Sequence, residues 1–64
     1  MQLSREKIKM VMAEKKISQR DIAETLDVAT STVSGYFKNC ERVRGKTIGR
    51  LADALQVEID EIIN

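Results

Sequence analysis

Thr30, Ser31, Thr32 and Ser34 place hydroxyls at four of five consecutive positions, and Gly35 follows with no side chain at all. A hydroxyl both donates and accepts, and a threonine methyl can touch a thymine methyl, so such a short uncharged surface can approach base edges closely. Gln19 adds a carboxamide able to reach a phosphate or to pack against that surface, beside backbone amides that favour an anion. Lys38, Arg42, Arg44, Lys46 and Arg50 then crowd thirteen residues in which Glu41 is the only acid. The plain reading of such a run is a solvated surface; its position directly after the hydroxyl segment makes it a candidate phosphate-binding patch. With no His, one Cys and no Gly-rich phosphate loop, the chain assembles neither a nucleophile and base nor a metal cluster. No catalytic residue, metal, cofactor or small-molecule substrate is expected.

These residues need rigid elements to hold them, and the apolar spacing predicts five short helices. The first runs from Ser4, an N-cap, to Lys16, with Ile8, Val11 and Met12 on one face and a basic opposite side. Ser18 caps a second helix that begins at Gln19, with Asp21 completing a variant capping box and Ile22, Ala23 and Leu26 facing inward. Asp27 and Val28 turn the chain into a third helix over about 29–38, its start capped by one of residues 29–31 and its end set by Asn39 in the left-handed region. Residues 40–45 read as a polar loop. A fourth helix follows from Lys46 to Leu55, buried through Ile48, Leu51, Ala52 and Leu55, and a short fifth spans Asp60 to Ile63. Ile62 and Ile63 either fill the core or form a small dimer contact.

The second and third helices are joined so tightly that their backbones must approach closely. Ala23 is small and Val33 is apolar without bulk, as that contact requires, and the pair has the spacing of a helix-turn-helix. At 64 residues the whole chain, 1–64, is expected to be one small all-α domain, too small for a deep enzyme cleft. No apolar stretch approaches the roughly 18 residues needed to span a membrane, and Arg5, Lys7 and Lys9 interrupt any signal-peptide core, so a cytoplasmic protein is expected. The formal net charge of +1 conceals an uneven distribution: residues 1–50 carry +5, and residues 51–64 carry −4.

Gln19-x-x-x-Ala23, Val28-Ala29-Thr30-Ser31-Thr32-Val33-Ser34 and Ile48-x-x-Leu51-Ala52-x-Ala54-Leu55-x-Val57 together resemble the Cro/repressor (Xre-type, lambda-repressor-like) helix-turn-helix family over nearly the whole chain. The resemblance implies a five-helix bundle whose third helix enters the DNA major groove. It implies that Gln19, Thr30, Ser31 and Gly35 face DNA and that the following loop, with Lys38, Arg42, Arg44 and Lys46 in or beside it, touches phosphates. Two positions depart from the family pattern. Asp27 stands where Gly is common, and Gly35 replaces what is often a long polar side chain, leaving base reading to Thr30, Ser31, Thr32 and Ser34 and giving phosphate contacts and DNA shape more weight. The expected function is a transcriptional repressor of phage or mobile-element type that occupies a double-stranded operator as a homodimer, weak or monomeric when free. The alternative is a protein-interaction module, such as the partner domain of an antitoxin or anti-repressor.

Overall fold

A computed structural model describes all residues, Met1–Asn64. Four α-helices follow one another: α1 (Arg5–Lys15), α2 (Gln19–Leu26), α3 (Thr30–Lys38) and α4 (Gly45–Leu55). Single 3-10 turns at Cys40–Arg42 and Ile59–Glu61 complete the secondary structure. The expected fifth helix is therefore one tight turn. Ile62 must leave it to reach the core, where it is fully buried, and Ile63 pairs with Leu3 in an isolated antiparallel bridge. Of the two roles open to these residues, Ile62 takes core filling. Two further backbone bonds knit the chain ends: Ser4 N–H donates to the Ile62 carbonyl at 2.8 Å, and Asn64 N–H to the Gln2 carbonyl at 2.9 Å.

Val33, Ile48, Leu51 and Leu55 form the centre of the core, with Leu3, Ile8 and Ile22 closing around them. Leu3 has no helical periodicity to mark it, since it is drawn inward by the terminal bridge rather than by a helix face. Ala23 and Val33 are both buried, and α2 packs most extensively against α3, as a small and a β-branched residue on closely joined helices allow.

The helix ends explain why the elements stop where they do. Ser18 Oγ accepts from Asp21 N–H at 3.1 Å while Ser18 N–H donates to Asp21 Oδ2 at 2.9 Å, a complete capping box. α1, α2 and α4 all end on a left-handed residue, Lys16, Asp27 and Gln56 respectively, and none of these is Gly. A half-buried β-branched residue follows each: Ile17, Val28 and Val57, whose N–H groups reach back to Met12, Ala23 and Ala52 carbonyls at 3.0 Å.

α3 ends differently. Asn39 has φ −122°, not the left-handed conformation expected of it, because its carbonyl accepts from Arg42 N–H at 2.9 Å and starts the 3-10 turn at once. The carbonyls of Phe37 and Lys38 are taken instead by the Arg5 guanidinium, at 2.8 and 2.9 Å. The N-cap of α3 is Ala29, within the expected 29–31, but no side chain caps the helix. α4 begins one residue early, at Gly45, with Arg44 as its N-cap.

Candidate nucleic-acid interface

Val33 and Phe37 anchor α3 in the core, which fixes the direction of everything else on that helix. At 100° per residue, Gly35 lies opposite the midpoint of these two, with Ser31 and Lys38 to one side of it and Thr32 to the other. Thr30, Ser31 and Thr32 are exposed, and their hydroxyls form no hydrogen bond within the protein. Because Ala29 caps the helix, all three remain free to meet a ligand. A Cβ built on Gly35 would meet nothing within 4 Å, and no glycine has a positive φ, so neither packing nor backbone conformation requires Gly there.

α3 stands as a ridge between two open grooves of nearly equal volume, about 470 and 440 Å³. The first, toward α1, has an apolar floor of Ile8, Met12 and Phe37 and a polar rim of Arg5, Lys9, Gln19, Ser34 and Lys38. The second, toward the start of α4, is lined by Thr32, Gly35, Tyr36, Asn39, Arg42, Val43, Arg44 and Thr47. Neither contains a carboxylate. The two remaining grooves each do, Glu6 and Glu41 in one, Asp53 and Glu58 in the other. Both flanks of α3 are thus suited to anions.

The loop after α3 presents its arginines through a simple alternation. Cys40 is buried, with its thiol donating to the Phe37 carbonyl at 3.3 Å, and Val43 is half-buried, so Arg42 and Arg44 on either side of Val43 are left in solvent. The expected polar loop is in this way a pinned 3-10 turn.

Eleven Lys and Arg side chains compete for roles, and the structure divides them. Four donate to backbone carbonyls: Arg5 at the end of α3, Arg50 to Leu26 at the end of α2, Lys15 to Gln56 at the end of α4, and Lys7 to Ile63. Arg20 forms the one ion pair, with Glu24, 3.7 Å apart and well exposed. Six carry no side-chain hydrogen bond or ion pair: Lys9, Lys16, Lys38, Arg42, Arg44 and Lys46. Four of those six line the two grooves beside α3.

The sequence-predicted residues are therefore not all together. Gln19, Ser34 and Lys38 share the first groove, and Thr32, Gly35, Arg42 and Arg44 the second, while Ser31 stands exposed on the ridge and Thr30 is exposed in the first turn, on the side of Phe37. Lys46 lies apart, lining a groove with Gly49, Arg50 and Asp53. Lys9, Asn39 and Thr47 enter the grooves although sequence reasoning does not single them out. Lys9 sits one turn after Arg5, so the i, i+4 spacing on the basic side of α1 was its available signal. No helix is long and apolar enough to cross a membrane.

No curated protein and no solved structure matches the chain. Residues 7–64 match the family described as the Cro/C1-type HTH DNA-binding domain, which takes in α2, α3, α4 and all but the first two residues of α1. The chain belongs to the Cro/C1-type HTH DNA-binding domain family, and its function is DNA binding.

Proposed function

We propose that this chain is a sequence-specific transcriptional regulator of double-stranded DNA, a repressor of phage or mobile-element type, in which α2 and α3 form the helix-turn-helix and α3 enters the major groove. The observation that carries this reading is the placement of four uncommitted cations, Lys9 and Lys38 on one flank of α3 and Arg42 and Arg44 on the other, in acid-free grooves. A helix lying in a major groove has a phosphate strand on each side, so cations on both flanks match that environment. All 64 residues act as one DNA-binding domain in the cytoplasm. Two copies bind a two-fold symmetric operator, and the effect on transcription follows from occupying it.

Roles divide by position. Lys38, Arg42 and Arg44, with Lys46 and Gln19, set register and affinity through phosphates. Thr30, Ser31 and Thr32 read base edges through free hydroxyls, and Gly35 lets the backbone approach. Selection of bound duplexes from a random library tests the division. Wild type is expected to yield a two-fold motif, Ser31→Ala a changed motif, and Arg44→Ala the wild-type motif bound more weakly. Equal, sequence-blind losses from both substitutions would contradict it. No binding even at low salt would favour the interaction-module reading instead.

A further inference from the structure

Ser34 belongs by type with the base-reading hydroxyls, yet it differs from Thr30, Ser31 and Thr32 in having a partner. Its hydroxyl donates to Gln19 Oε1 at 2.6 Å, a side-chain bond across 15 residues that links α3 to the first residue of α2. A serine within a helix commonly returns its proton to the carbonyl one turn back; here that proton is spent on Gln19. Ser34 is also half-buried and turned from the outer face toward the α1 groove, where Gln19 lies with Lys9 and Lys38.

We infer that Ser34 is a positioning residue, which turns the Gln19 carboxamide so that its NH2 faces the groove and donates to a DNA phosphate. The inference rests on the DNA-binding reading above. A carboxamide carries an acceptor and a donor on one planar group, and a free Gln presents either. A phosphate oxygen only accepts, so the wrong orientation sets two acceptors against each other. With Oε1 held by the Ser34 hydroxyl, the acceptor is occupied and the donor end is the one left for the groove. Base reading then belongs to Thr30, Ser31 and Thr32, and Ser34 affects affinity for every sequence alike.

Full-length chain carrying Ser34→Ala, Gln19→Ala, both changes, or Ser34→Thr tests this, with binding measured on the selected operator and on random duplex. A hydrogen bond to a charged acceptor predicts a loss of about tenfold for Gln19→Ala on both DNAs. Ser34→Ala should lose about twofold on both DNAs, since a freed carboxamide presents its NH2 in one of two orientations; the double variant should lose no more than Gln19→Ala alone, and Ser34→Thr should restore binding by keeping the hydroxyl. A changed operator motif in Ser34→Ala, or losses that multiply in the double variant, would overturn the inference. A DNA-free readout separates it from the functional reading. In free protein, Ser34→Ala should shift the Gln19 side-chain NH2 resonances and leave other Gln side chains in place; unmoved resonances would overturn the pairing itself.

Discussion

Gly35 carries a cost that nothing in its surroundings recovers. Glycine in a helix interior destabilises by roughly 0.5–1 kcal/mol relative to Ala, and a Cβ here would meet open space. Gly35→Ala is therefore expected to raise the melting temperature by several degrees, since about 1 kcal/mol corresponds to roughly 4–8 °C in a domain of this size. Because the added methyl would stand at the centre of the ridge proposed to face DNA, operator affinity should fall in the same variant. Thermal melts and binding isotherms moving in opposite directions would assign this glycine to function; a variant improved in both would make it incidental. Gly35 and the hydroxyls stand out in the sequence because their types are unusual together. Nothing there separates Ser34 from its neighbours, since that distinction rests on a contact with a residue 15 positions away.

Helix starts and stops obey different rules in this chain, and they were legible to different degrees. The capping box at Ser18 and Asp21 is local and could be read directly. It also predicts a pH dependence. The Asp21 carboxylate is held below its usual range, first by the Ser18 backbone N–H and next by the Ser18 side chain, with desolvation opposing them and the nearby Arg20 charge adding least. A lowered folded pKa means that this contribution is fully present above the unfolded value of about 3.9 and is lost as pH falls through the folded one. Asp21→Asn should be less stable than wild type at neutral pH, with the difference shrinking on acidification below about pH 4 in paired melts. A difference that stays constant would remove the carboxylate from the account.

The helix ends were harder to foresee. Left-handed caps at Lys16 and Gln56 lack the glycine that usually signals them, and each is recognisable only by the β-branched residue that follows, whereas Asp27 stands at a turn position where Gly is common. Relieving one such position by Gln56→Gly is expected to stabilise by about 0.5–1 kcal/mol, the steric cost of left-handed backbone less the added chain entropy. A chemical denaturation midpoint that falls would refute the strain. Asn39 shows the converse. Its type suits the left-handed region, but Arg5, 34 residues earlier, already serves the α3 carbonyls, and nothing local announces that contact.

Across the whole molecule, the cations that look like one basic run are sorted by the fold into structural and uncommitted sets. Arg50 belongs to the run by sequence yet caps α2, and Lys9 lies outside it yet joins Lys38 beside α3. The helical architecture and its core were readable from periodicity, because each helix buries one stripe. The two-sided layout of charge was not, because it depends on which cations the helix C-termini consume.

Phosphates seated in the grooves on both flanks of α3 are central to this picture, and the salt dependence of duplex binding tests them most directly. Each phosphate contact contributes about 0.9 to the slope of log affinity against log salt. Lys38→Ala and Arg44→Ala, one from each flank, are each expected to lower the magnitude of that slope by about 1, and the double variant by about 2. A slope that neither substitution changes, in variants that remain folded, would contradict phosphate seating beside α3.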